Sequence, residues 1–344
     1  MTGEASVRAS FRTQARWCDR LGSPFTALLC EALAAALDRR TAVGMRVLDW
    51  PGDPSPGGDA LALRLCGGLH ALVRSGGAPG LAALYPPGPL PGAGELREAV
   101  APVLRGSALL PWLDSAPQTN EIGRSAVLMA GLLTAAARFG QPFDLYELGA
   151  SAGLNLQLDR YGYDLGGLGV GAGSPFCLRP DWRGAPPPGA EIRIARRAGV
   201  GLSPLDPRRD GERLLAYIWP DQTERLRRTE AALALAAAEP PPVEAGDAAD
   251  WIESRLGGSG DRGVTRAVMH SVAFQYFPPG AQERVARHIA RVGAQASETS
   301  PLLWLRFEKL PEDDRFSLRL RTWPGEDRLL AWAHPHASEV EWLG

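Results

Sequence analysis

Between residues 143 and 161 the chain passes from one apolar run, through a turn of small residues, into a second apolar run. This passage restricts the fold more than any other feature. Residues 143–148 read as a buried strand and residues 154–161 as the helix that follows. The turn Gly149-Ala150-Ser151-Ala152-Gly153 carries no bulky side chain. A ligand can therefore approach its backbone and the outward-pointing N–H groups of the helix N-terminus. Glu147 adds an acceptor at the C-terminal end of the strand, which is where open α/β sheets hold their ligands. Two chemistries fit the turn: a nucleotide-type cofactor loop, or a nucleophile elbow built on Ser151.

The chain has 344 residues, enough for one large domain or two smaller ones. Apolar residues make up 45% and charged residues 22%, the balance of a globular enzyme. A net charge of −2 argues against a general nucleic-acid binder, which is normally basic. Lys309 is the only lysine, which disfavours a lysine Schiff base or phosphate clamp. Cys18, Cys30, Cys66 and Cys177 form no CxxC pair and read as reduced, buried thiols. Residues 1–10 lack the apolar stretch of a signal peptide, and no apolar run is long enough to span a bilayer. The expectation is a cytoplasmic protein whose partner is a small-molecule substrate, not a nucleic acid or a membrane. The oligomeric state is not encoded in any visible pattern.

Residues 1–115 read as an N-terminal helical region, and residues 116–344 as an α/β domain. Within the first, Phe25, Leu28, Leu29, Ala32, Leu33, Ala36 and Leu37 follow helical spacing. The spacing predicts further helices over 60–73 and 120–139, the latter stopped by Gly140-Gln141-Pro142. Strand-like runs at 143–148, 191–196, 264–270 and 302–307 then alternate with helical runs at 221–238, 248–256 and 281–292. Alternation of this kind predicts a mostly parallel sheet with helices on both faces. Asp221-Gln222-Thr223-Glu224 has the form of a capping box, and Gly293 that of a C′ residue. Residues 316–323 and 328–333 flank the turn Pro324-Gly325-Glu326-Asp327 and predict a C-terminal antiparallel hairpin. Residues 161–189 form a Gly/Pro/Trp-containing insertion, expected to be a pocket-covering loop or hairpin.

A doubly wound sheet ending in a hairpin resembles the class I S-adenosylmethionine-dependent methyltransferases, whose fold is Rossmann-like. Glu147, Gly149 and Gly153 match that family's acid-x-Gly-x-Gly-x-Gly loop, with Ser151 at the middle glycine. Val243-Glu244-Ala245-Gly246-Asp247-Ala248 resembles the strand-end Gly-Asp-Ala whose acid meets the adenine amine. Val268-Met269-His270-Ser271-Val272 resembles the fourth strand and the loop lining the substrate side. The resemblance covers about 200 residues, from Phe143 to Trp342. It implies S-adenosylmethionine as cofactor, bound by Glu147, Gly149, Ser151, Gly153 and Asp247, and methyl transfer to a small molecule. His270 is the candidate base where an acceptor must lose a proton. The sequence departs at Gly201, which stands where the ribose-binding acid belongs; Asp206 in the next loop is the nearest substitute.

Asn120, Glu121 and Arg124, with Gln118 and Thr119, form a dense polar group ahead of an apolar helix. They read equally as the substrate-side wall of the pocket and as helix capping with a salt bridge. His334-Pro335-His336 reads as a surface turn, and no metal site is expected. The rival hydrolase reading takes Gly149-Ala150-Ser151-Ala152-Gly153 as G-x-S-x-G, with Asp247 and His270 or His334 as partners. A third reading is a non-catalytic binding protein that keeps the fold. The chain also resembles a bacterial family of unestablished function. That resemblance rests on Leu110-Pro111-Trp112-Leu113-Asp114-Ser115-Ala116-Pro117-Gln118-Thr119-Asn120-Glu121-Ile122-Gly123-Arg124-Ser125-Ala126, on the turn itself, on Ile218-Trp219-Pro220-Asp221-Gln222 and on His270-Ser271-Val272-Ala273. It implies a shared fold and no particular reaction.

Overall fold

The computed structural model describes residues 3–309 and 315–344. The chain forms two compact units. One runs to Thr119 and takes back Asp210–Glu230; the other is Asn120–Arg209 with Ala231–Gly344. The first unit is helical, with its main helices at Glu4–Arg20, Pro24–Ala36, Ala42–Leu48, Leu61–Arg74 and Ala93–Arg105. Their apolar faces close on one core that includes Phe11, Phe25, Leu29, Leu33, Leu65 and Leu69. Each fully buried side chain of this size is worth about 1.5–3 kcal/mol. The returning segment is integral to this unit. A Cβ on Gly67 would lie 2.5 Å from the Tyr217 ring, so glycine there is what admits the tyrosine. Asp221 does not cap its own helix, which spans Thr223–Ala238. Its carboxylate instead accepts from the Ser23 hydroxyl and, at 3.0 Å, from the Phe25 N–H at the start of Pro24–Ala36. The capping-box pattern misled because a nearer demand for that carboxylate comes from a remote helix.

The second unit is built on strands β1 (Phe143–Leu148), β2 (Gly162–Leu165), β3 (Leu168–Val170), β4 (Cys177–Leu178), β5 (Asp181–Arg183) and β6 (Ile194–Gly201). They are followed by β7 (Val243–Ala245), β8 (Thr265–Ser271), β9 (Leu302–Lys309), β10 (Phe316–Trp323), β11 (Asp327–Ala333) and β12 (Glu339–Trp342). Nine of them form one sheet in the order β5-β12-β11-β10-β9-β8-β1-β6-β7. The run β7-β6-β1-β8-β9 is parallel, as the alternation with helices requires. The expected hairpin is present and extends into an antiparallel meander from β9 to β12. Side chains alternate across the sheet. Leu148, Val200, Val268, Leu302 and Trp304 face the helices Ala248–Arg255 and Pro279–Gly293. On the other face Leu305 meets Gly131 of the helix Ser125–Phe139, where a Cβ would lie 2.5 Å from the leucine Cδ1.

Several boundaries differ from expectation. The helix expected over 120–139 begins at Ser125, after a 3-10 turn at Ile122–Arg124, because Asn120 and Glu121 turn their side chains to backbone N–H groups. The stretch Ile122–Phe139 does reach a membrane-spanning length, with mean hydropathy 1.2 over 18 residues, and 72% of it is buried in the molecule. The helix after the glycine turn is a 3-10 segment, Leu154–Arg160, broken at Gln157. Gln157 reaches out to the Glu239 carbonyl at 2.6 Å, and the Tyr161 and Tyr163 hydroxyls donate to Leu154 and Leu158 carbonyls. β6 starts three residues late and ends on Gly201. Gly293 is the last residue of its helix and not the C′ residue, and the Trp323 ring packs against it. The 161–189 insertion forms a small sheet, β3-β2-β4, and β5, which extends the main sheet beside β12.

Candidate functional site at the reversal of strand order

β1 is flanked in the sheet by β6 on one side and by β8 on the other. At such a reversal the loops leaving adjacent strand ends part and leave a crevice. The turn 149–153 forms one side and residues 271–277 the other. Each carries a non-glycine residue in the left-handed region: Ser151 at φ 55° and Val272 at φ 51°. That conformation costs roughly 1–2 kcal/mol, and a β-branched residue rarely adopts it. Backbone outliers of this kind gather at functional sites. Two large apolar side chains stand in solvent on the same rim, Leu202 after β6 at 82% exposure and Tyr276 after β8 at 74%.

Glu147 is buried at the end of β1 and faces the helix Ser125–Phe139. Burial pushes its carboxyl up to about 8, against the opposing effects of an Asn155 hydrogen bond and the Arg124 charge. Asn155 is in turn oriented by the Ser125 hydroxyl, which donates to its Oδ1 at 2.8 Å. Glu147 Oε2 is enclosed with no hydrogen-bond partner. An enclosed, unsatisfied oxygen costs about 1–3 kcal/mol.

The turn's N–H groups are largely engaged. Gly149 and Ala150 donate to the Val200 carbonyl, each at 2.9 Å, and Gly153 donates to Ala150 at 2.7 Å. Asn120 Oδ1 accepts from Ala152 N–H at 3.2 Å and Leu154 N–H at 3.0 Å. Asn120 therefore does reach the turn, and it occupies donors that a ligand oxygen would use. Gly149 (φ 77°) and Gly153 (φ 71°) are both left-handed. A Cβ on Gly149 would lie 2.6 Å from the Ala273 methyl, and one on Gly153 2.7 Å from Pro241 and Val243.

Arg124 reaches from the start of the helix Ser125–Phe139 to the end of β8. It donates Nε to the Pro335 carbonyl at 2.9 Å and Nη1 to the Ser271 carbonyl at 3.1 Å. Glu121 is buried and accepts from Gly123 N–H at 2.8 Å. Asp247 stands at the end of β7, where its Oδ1 caps the helix Ala248–Arg255 through Ala249 N–H at 2.8 Å and Asp250 N–H at 3.1 Å. Glu147, the turn, Asn120 and Arg124 are thus brought together, while Asp247 lies two strands away across β6. The His334-Pro335-His336 segment is a turn, with His336 N–H donating to the His334 ring at 3.2 Å.

His270 faces the opposite side of the sheet from Glu147 and is buried. The Trp304 indole N–H can only donate, and it does so to His270 Nε2 at 3.1 Å. The ring proton therefore sits on Nδ1, directed at Glu308 Oε1, 2.7 Å away. The same oxygen accepts from Ala273 N–H at 3.0 Å and Phe274 N–H at 3.1 Å. Burial alone would raise the Glu308 carboxyl; the His270 ring and these two N–H groups outweigh it and hold the carboxyl below its usual range. With both ring nitrogens engaged, His270 orients its neighbours and offers no free nitrogen to a substrate. Glu308, Trp304, Ser125 and Asn155 are site residues that sequence reasoning passed over. The one available signal was Glu308 itself, a charge closing the apolar run that begins at Leu302.

Among the described residues no group of three or more His, Cys, Asp or Glu side chains is placed to hold a metal ion. The family model described as "Uncharacterized protein conserved in bacteria (DUF2332)" matches residues 8–342, and the chain belongs to that family. No curated protein matches the chain.

Proposed function

We propose that the protein is an S-adenosylmethionine-dependent methyltransferase acting on a small molecule, with the crevice between β1 and β8 as its site. The observation that carries this reading is the parallel order β7-β6-β1-β8-β9, in which the glycine turn follows β1, the first of these five strands in the chain, and Gly246-Asp247 follows β7, the third of them. The residues present leave room for such a cofactor. A Cβ on Gly201 would meet only Ser151 N at 3.8 Å, and one on Gly246 only Val200 at 3.8 Å. Glu147 Oε2 offers an unsatisfied oxygen beside the turn. When bound, the sulfonium group supplies a methyl that transfers by in-line displacement. Positioning then contributes most of what the protein must do. The turn and the ends of β6 and β7 would hold the nucleoside portion, with Asp247 facing the adenine end. Arg124, with Asn120 and Glu121, would line the acceptor side. His270 would act through Glu308 and not directly.

A second reading, a non-catalytic binding protein, draws support from the Asn120 side-chain Oδ1, which accepts from Ala152 and Leu154 N–H. The left-handed backbone of Ser151 adds to the G-x-S-x-G string in favour of a hydrolase elbow. Against it, the turn follows the first strand of the sheet, where a hydrolase places several strands earlier. Calorimetric titration with S-adenosylhomocysteine separates these. Binding that is lost in Gly149→Val supports the methyltransferase. No heat at any concentration, with Ser151 labelled by a fluorophosphonate, supports the hydrolase; neither signal leaves the binding protein.

A further inference from the structure

The space beside Gly149 is filled by this chain itself. The Ala273 methyl sits where a Cβ on Gly149 would clash at 2.6 Å, and the Phe277 ring lies 4.0 Å from the same point. Ala273 belongs to the segment that leaves β8 at Ser271, makes a 3-10 turn at Phe274–Tyr276 and joins the helix Pro279–Gly293. Within the segment Tyr276 and Phe277 N–H donate to the Ala273 and Phe274 carbonyls, each at 3.0 Å, and Gln282 donates to the Phe277 carbonyl at 2.9 Å; its ties to the sheet converge on Glu308 and His270. Ala273 and Phe274 N–H groups both converge on Glu308 Oε1. Phe274 stacks on His270 at 4.7 Å and 17°, with the Trp304 ring edge-on at 5.9 Å. His270 is itself fixed by Glu308 and Trp304. Upstream, Ser271 is anchored by Arg124 and Val272 N–H by the Phe307 carbonyl at 2.8 Å, so bending falls on Val272 and the residues just after it. Val272 is the β-branched residue in the left-handed region. Glu308 Oε2 remains enclosed and unpartnered.

We propose that residues 272–277 form a gate over the Gly149 turn, with Glu308 as the positioning residue that holds it shut. The closed gate places Ala273 against the glycine that a ligand would approach. Opening breaks the convergence on Glu308 and lets Val272 leave its strained conformation, so part of the cost of opening is returned. The gate presents Phe277 and the exposed Tyr276 at the crevice, which gives an arriving ligand apolar surface to engage. The proposal rests on the turn being the ligand site.

Hydrogen exchange of the whole protein, followed at Ala273 and Phe274, tests the gate without reference to activity. In Glu308→Ala these amides should exchange roughly tenfold or more faster than in wild type, with exchange in β1 unchanged. Val272→Gly should act oppositely. Relief of strain in the closed state, less the freedom glycine gains when open, should slow exchange roughly two- to fivefold. This variant keeps the test intact if Glu308→Ala does not fold. Unchanged exchange at both amides in a folded Glu308→Ala, or faster exchange in Val272→Gly, overturns the gate. Titration with S-adenosylhomocysteine separates the gate from the cofactor reading. Tighter binding in Glu308→Ala supports both. Faster exchange with no binding in any variant leaves the gate standing and removes the cofactor. Equal binding in all variants with unchanged exchange removes the gate and leaves the cofactor.

Discussion

Glu147 exchanges its charge for a place in the interior. Its native carboxyl, raised by burial to about 8 from an ordinary 4.5, binds its proton more tightly folded than unfolded. The resulting stabilisation is complete below about 4.5 and is lost as pH rises through about 8. Glu147→Gln keeps the shape and cannot ionise. Urea midpoints measured from pH 5 to pH 9 should therefore fall more steeply for wild type than for the variant, with the variant more stable at pH 9. Equal slopes would mean that Glu147 is ionised in the native state. The sequence announced this residue by its place before Gly149, but not its environment. Asn155, which addresses its carboxyl, and Ser125, which orients Asn155, lie on separate segments 30 positions apart. His270 illustrates the same limit. Its position at a strand end was visible, whereas the partners that occupy both ring nitrogens stand 34 and 38 residues downstream on the neighbouring strand.

Among elements, strands were the most legible, because an apolar run bounded by glycine or proline admits few other readings. β1, β8, β9, β10 and β11 all lie within a few residues of expectation. Helix ends were less legible, since a side chain that suits a cap locally can be claimed from far away, as Asp221 is. Asp247 is the converse, a residue that caps the helix Ala248–Arg255 through two N–H groups. Asp247→Ala should cost about 0.5–2 kcal/mol in thermal or urea unfolding. Asp247→Ser should restore that stability while leaving affinity for S-adenosylhomocysteine reduced. Recovery of both would confine Asp247 to the cap. Gly293 gives an element-scale expectation against the usual trend. Glycine to alanine in a helix ordinarily gains up to about 1 kcal/mol, the full amount applying to the interior and less to a last residue such as Gly293. Here the Trp323 ring occupies the Cβ position, so Gly293→Ala should lose about 1–3 kcal/mol by overpacking. A raised melting temperature would show that the ring can move aside at little cost.

At the scale of the molecule, the two units carry titratable groups of opposite sense. In the first, burial pushes His70 down to about 4, with its Nδ1 3.2 Å from the Ala216 carbonyl. A histidine held neutral stabilises fully above its ordinary 6.5, and that contribution is lost as pH falls toward about 4. Glu147, in the second unit, loses its contribution in the alkaline direction. Protection of slowly exchanging amides, corrected for intrinsic rates, should therefore weaken first in the helical unit at pH 4.5 and first in the sheet unit at pH 9. Uniform loss at both extremes would show that the units unfold only together. The division of the chain itself was legible in outline, as helices before 115 and alternation after 143. The return of Asp210–Glu230 was not, because nothing local marks a segment as belonging to a core laid down a hundred residues earlier.

That return sets the order in which the molecule can be completed during synthesis. A nascent chain folds from its N-terminus as it leaves the ribosome. The helical unit cannot keep to that schedule, because Ser23 must wait for Asp221, 198 residues behind it. The gap that Gly67 leaves must likewise wait for Tyr217. By the time both arrive, β1 and β6 have already emerged. The first-made part of the chain thus stays incomplete until residue 230 has emerged, with β7 to β12 still to come, and a polypeptide released after residue 119 would have an open core for a chaperone or a protease to find.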